Sequence, residues 1–232
     1  MTLSGAEWVA LMLSLRVATT ATACALPMAL WVAWILARKS FWGKGLLNAA
    51  VHLPLVLPPV VTGYLLLIGF GRNGPLGQIL DDWFGITFAF RWTGAALAAG
   101  IMGFPLMVRA IRLAIEAVDP KLEEAAATLG ASRSSVFLRV TLPLIVPGVL
   151  AGAIMGFAKA IGEFGATITF VANIPGQTQT LPSAIYAFLQ VPGEENAAFR
   201  LVVLALVVAL GAVIVSEWLA RRVARRIAGR DA

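Results

Sequence analysis

Five predominantly apolar stretches of this chain, residues 17–37, 45–70, 93–108, 142–158 and 201–216, each run for sixteen residues or more without one Lys, Arg, Asp or Glu. A helix needs roughly 20 apolar residues to cross a bilayer core of about 30 Å. Inside lipid every backbone polar group must find its partner within the protein, which leaves helices as the structure for runs this long. Composition agrees, with 59% hydrophobic residues, 13% charged residues and a mean hydropathy of +0.86. A soluble domain carries about a quarter charged residues, and a disordered chain is poor in hydrophobics. Cys24 is the single cysteine, so no internal disulfide framework exists. The chain reads as one all-α integral membrane domain, 1–232, with spans at about 10–37, 46–70, 92–114, 144–171 and 199–219.

The net charge of +6 is organised by these spans. Arg38, Lys39 and Lys44 follow the first span. Arg109, Arg112, Lys121, Arg133 and Arg139 follow the third, and Arg221, Arg222, Arg225, Arg226 and Arg230 follow the fifth. These three segments share one side and hold thirteen basic residues, against Arg72, Arg91 and Arg200 on the other. Basic loops stay in the cytoplasm, which predicts an N-out/C-in topology. The basic balance is thereby assigned to membrane orientation and not to nucleic acid. The first span begins near Glu7 and runs on to Ala37, unlike a cleaved signal peptide.

The cytoplasmic loop at about 115–143 carries the most information. Asp119-Pro120 reads as a helix start, because Asp caps free amides and Pro suits the first helical position. Residues 121–129 favour helix, and Gly130 ends it. Glu123 and Glu124 would be repelled by anionic lipid, and the small Ala125, Ala126 and Ala127 suit insertion into a protein groove.

The pattern Glu124-Ala125-Ala126, Gly130 and Val140-Thr141-Leu142-Pro143 resembles the coupling loop of binding-protein-dependent ABC importer permeases, with Val140 replacing the usual Ile. The stretches 52–61, 82–90 and 162–171, with Asn173-Ile174-Pro175-Gly176, are similar to permease subunits of bacterial molybdate importers; Gly162-Glu163-Phe164-Gly165-Ala166 is shared with sulfate and thiosulfate permeases. This resemblance implies an inner-membrane, multi-pass subunit translocating molybdate by alternating access. It implies a second copy of the chain, two cytoplasmic ATPase subunits that bind ATP and Mg, and a periplasmic molybdate-binding protein. The ATPase-coupling residues are then Glu123, Glu124, Ala125, Ala126, Gly130, Leu142 and Pro143. Sulfate, thiosulfate and tungstate are the alternative substrates.

Other residues are less decisive. Pro54, Pro58 and Pro59 remove donors from the second span and predict a bend, serving either the translocation path or packing alone. Lys159 and Glu163 sit four apart in the fourth span, on one helix face. They read as a mutual ion pair or as a weak attraction for a passing dianion. Arg16 can snorkel to the interface, His52 suits structural hydrogen bonding, and Cys24 reads as a small core residue. Asp81, Asp82, Glu194 and Glu195 mark an outer platform for the binding protein.

Two other function classes fit less well. An intramembrane enzyme would need a nucleophile, metal cluster or carboxylate pair, and the chain has no His-Glu-x-x-His or Gly-x-Ser-x-Gly. An ion-coupled secondary transporter often shows internal repeats, which five spans do not divide into. No Gly-x-x-x-x-Gly-Lys-Ser/Thr loop is present, so the chain is not itself an ATPase and has no catalytic, cofactor or metal site of its own. Five spans are also too few to enclose a path, which favours two copies about an axis.

Overall fold

The computed structural model describes residues 4–227; Arg230 and the side chains of Arg221, Arg225 and Arg226 lie outside the described part. The described residues form α-helices and no strand. Helix α1 (Gly5–Arg38) starts at a reciprocal cap: the Ser4 hydroxyl accepts the Glu7 N–H, and the Glu7 carboxylate accepts the Ser4 N–H at 2.6 Å. The end of the bundle where α1 starts is called upper here, and the end where it stops, lower.

The chain returns upward through α2 (Lys44–Val56) and α3 (Pro59–Phe70), whose axes differ by 113°. Leu57 is extended at ψ 142°, as expected of a residue before proline, and Pro58 and Pro59 offer no N–H to continue the ladder. The second span is therefore an elbow. Helix α4 (Pro75–Phe84) follows at the upper end.

Helix α5 (Trp92–Glu116) descends through the centre. Its buried face is largely small: Gly94, Ala95, Ala96, Ala98, Ala99 and Gly100 near the top. Lipid tails give no hydrophobic driving force between helices, so close backbone approach over small residues supplies the packing. Most of α5 is buried, whereas α11 (Glu195–Ile227) is largely exposed over 195–215; α5 is the hub and α11 lies at the rim.

Below α5 come α6 (Pro120–Thr128), the single turn α7 (Arg133–Val136) and a π-helical turn, Phe137–Thr141, which runs unbroken into α8 (Leu142–Ile161). The residues expected to form one span at 144–171 are not one helix. Helix α8 stops at Ile161, and α9 (Gly165–Val171) starts after a break at 162–164. Helix α10 (Leu181–Leu189) leads to α11. Among the described residues, four helices are long and apolar enough to cross a membrane, or five if the α2–α3 elbow counts as one.

Buried side chains form three tiers. Ala10, Leu11, Leu181, Ala184 and Leu201 make the top one. Val17, Ala21, Ala98, Ala99, Ala166 and Phe170 belong to the middle one. Ala33, Leu36, Met107, Ile111, Ile115 and Ile145 belong to the lowest. Cys24 is exposed on the α1 surface and not in any tier, contrary to the expectation of a core residue. It faces away from α5 because Ala21 and Ala29 take the inward positions on that helix.

Candidate coupling surface and translocation path

At the lower end, α6 is built as its residues suggest. Asp119 Oδ1 accepts the Lys121 N–H at 3.0 Å, with Pro120 behind it. The exit is closed by Gly130 N–H to Ala127 O and Ala131 N–H to Ala126 O, and Gly130 sits at φ +85°. That left-handed conformation is cheap only for glycine. No residue of α6 is buried: Leu122 is half exposed, Glu124 and Ala125 face outward, and Leu129, just past its end, is 88% exposed. This acidic, Ala-rich helix is thus left largely uncovered by its own chain at the lower end.

Glu123 differs from its neighbour. Its Oε1 accepts Thr141 Oγ1–H at 2.7 Å and Arg38 Nη2–H at 3.2 Å, and the same Arg38 nitrogen donates to Val118 O at 3.1 Å. Leu142 is half-buried and Pro143 exposed at the foot of α8. Of the expected coupling residues, Glu123 thus points into the protein, while Glu124, Ala125, Gly130 and Pro143 are exposed. The sequence marks Arg38 only as a topological charge, and Thr141 only as a motif position. No local signal ties either to Glu123, because the partners are 85 and 18 residues away.

The candidate path residues divide likewise. Glu163 is fully buried, and its Oε2 lies 2.6 Å from Lys159 Nζ. Its Oε1 accepts the Ala166 N–H at 3.0 Å, so the carboxylate caps α9 across the break. Both oxygens are occupied within the chain, and Lys159 keeps about a third of its side chain exposed. Pro59 joins this cluster: a Cβ on Gly165 would lie 2.7 Å from Pro59 Cβ, and one on Gly63 would collide with the Ala166 backbone. Glycine at 63 and 165 therefore lets α3 lie directly on α9. Pro58 and Pro59 are exposed at the elbow. Pro54 stays inside α2, which packs on the lower part of α5, apart from this cluster.

Several polar contacts are structural. His52 Nδ1 lies 2.8 Å from Asn48 O. The Arg16 guanidinium stacks 3.8 Å from the Trp92 ring centre. At the upper end stands a pair that no sequence signal announces: Glu7, fully buried, receives Arg200 Nη2 at 2.8 Å and Nε at 2.9 Å. In the sequence Arg200 stands out only as a loop charge.

The chain resembles known proteins over its whole length. It is 56% identical over 230 residues to the molybdenum transport system permease protein ModB of Escherichia coli (strain K12), covering 99% of this chain and 100% of that one. It is 55% identical over 218 residues to the protein of the same name from Haemophilus influenzae, covering 94% and 95%. A crystal structure of a bacterial ABC transporter that imports the acidic polysaccharide alginate superposes with a TM-score of 0.74, at 20% identity, over 94% of this chain and 80% of that one. At that identity the likeness speaks for the fold alone, an all-helical ABC importer permease. A family described as "binding-protein-dependent transport system inner membrane component" matches residues 25–229, and the chain belongs to it.

Proposed function

We propose that this chain is the membrane-spanning permease subunit of a molybdate importer, driven by ATP hydrolysis in a separate subunit. The chain is a transport component without a phosphate-binding loop of its own. The observation that carries its mode of action is α6, a capped nine-residue helix with no buried residue, followed after the Gly130 turn by helix that runs unbroken from Arg133 into α8. Its substrate class rests on the likeness to molybdenum permeases at more than half identity.

In this reading the lower end is cytoplasmic, because the basic segments cluster there, and the N-terminus lies outside. Helix α6 is the coupling helix. Glu124, Ala125, Ala126 and Gly130 meet a cleft on the ATPase, which binds ATP and Mg. Two copies of the chain enclose the path, and each binds one ATPase subunit. The loaded periplasmic binding protein docks at the upper end near Asp81, Asp82, Glu194 and Glu195. Closure of the ATPase pair opens the path outward, the oxyanion enters, and hydrolysis reopens it inward.

Lys159 and Glu163 lie on the path as a neutralised pair. Such a pair suits a conduit, because a strong fixed charge would retain a dianion. Pro58 and Pro59 form the elbow that brings α3 against α9 beside it. Selection among tetrahedral dianions belongs chiefly to the binding protein.

Uptake by the complex reconstituted with its binding protein and ATPase tests the reading. Labelled molybdate should accumulate only with ATP, tungstate should compete and sulfate should compete weakly. Preferential accumulation of sulfate would move the substrate to the sulfate class. Accumulation driven by an ion gradient without ATP would overturn the reading.

A further inference from the structure

At the foot of the bundle one carboxylate oxygen joins three elements. Glu123 Oε1, on α6, receives Thr141 Oγ1–H at 2.7 Å from the last residue of the π turn beneath α8. It also receives Arg38 Nη2–H at 3.2 Å from the last residue of α1. Arg38 ties the same group to the Val118 carbonyl at 3.1 Å, just before the α6 cap. Thr141 is 2% exposed, and the Arg38 and Glu123 side chains are 17% and 24% exposed. Screening by water is therefore partial, and charge-assisted bonds are the stronger class.

The rest of α6 has little else to hold it. None of its residues is buried, and α7 is a single turn. A helix attached only through its chain ends would swing when pulled, and the pull would be lost in the loop. A helix also bonded at mid-length to α1 and α8 moves with them. Adjacent acidic residues on a helix point about 100° apart, so Glu123 can face the bundle while Glu124 faces outward.

We infer that Glu123, held by Arg38 and Thr141, is the positioning residue that couples movement of α6 to α1 and α8, whereas Glu124 serves the partner's surface. This rests on the proposed coupling role of α6. The two glutamates then differ in role, since one retains the motor and the other passes its stroke to two membrane helices at once.

The test uses the full complex in proteoliposomes and reads three quantities for each variant: ATPase subunit retained on purification, thermal stability, and molybdate taken up per ATP hydrolysed. Glu123→Gln keeps shape and one acceptor but loses the charge. Thr141→Val removes one donor, and Thr141→Ser restores it. The expected result for Glu123→Gln and Thr141→Val is normal ATPase retention with about a tenfold fall in uptake per ATP, the scale of one lost charged hydrogen bond. Thr141→Ser should recover the wild-type ratio, and exchanging the charges in Arg38→Glu with Glu123→Arg should recover part of it. A wild-type ratio in Glu123→Gln, with or without lower stability, would overturn the inference. So would loss of the ATPase subunit in Glu123→Gln, which would place Glu123 on the docking face. Failure of the wild-type complex to couple uptake to ATP would instead overturn the proposed function.

Discussion

The Glu163 carboxylate serves two partners on opposite sides of a helix break, Lys159 Nζ at 2.6 Å on α8 and the Ala166 amide at 3.0 Å on α9. A group in this position fixes the geometry of the break as well as balancing a charge. Removing one member of a buried ion pair costs about 3–5 kcal/mol, because the other is left uncompensated. Glu163→Ala should therefore lower the thermal unfolding midpoint in detergent more than the paired change Lys159→Met with Glu163→Gln. Equal losses would show that the ion pair is incidental to the break.

Gly165 and Gly63 hold α3 and α9 in contact. A methyl group at 165 would have to displace Pro59, and overpacking of this kind costs roughly 1–3 kcal/mol. Gly165→Ala should destabilise the protein and reduce uptake. Gly69→Ala, in open space on the same α3, should leave stability unchanged or raised, since alanine is the better helix former. Thermal unfolding of both variants side by side checks the contrast.

On the proposed coupling surface, Gly130→Pro is incompatible with φ +85°, because proline is confined to a φ of about −65°. Glu124→Arg reverses an exposed charge without touching the fold. Both should insert into the membrane normally and yet lose the ATPase subunit on purification. Wild-type retention together with full uptake in both would remove α6 from the docking role.

The Glu7–Arg200 pair joins the first turn of α1 to the first turns of α11. Hydrogen bonds to charged groups are worth about 1.5–3 kcal/mol. Glu7→Gln and Arg200→Met should each destabilise by about that amount, and the double variant by less than their sum. Additive losses in thermal unfolding would mean that the two residues act independently.

Much of this fold is legible in the chain. Apolar uncharged runs locate the long helices of the bundle, since charge is what a bilayer excludes, and Asp119-Pro120 with Gly130 bounds α6 through backbone chemistry alone. Pro58-Pro59 announces the elbow but not its angle, which depends on α2 and α3 packing against different tiers. The break at 162–164 is hidden inside an apolar stretch, where Lys159 and Glu163 at helical spacing suggest one continuous rod. Their ion pair forms all the same, with Glu163 beyond the end of α8. The turning of Glu123 inward and Glu124 outward depends on Arg38, far away in sequence. Adjacent identical residues carry no mark of which faces which way.

The 113° elbow between α2 and α3 alters what kind of machine part the second span can be. A straight rod would behave as a piston, carrying an axial thrust from one membrane face to the other. A limb folded past a right angle behaves as a crank: in the proposed transport cycle, a thrust along α2 would reach α3 as a sideways sweep, in the direction needed to widen or narrow the path.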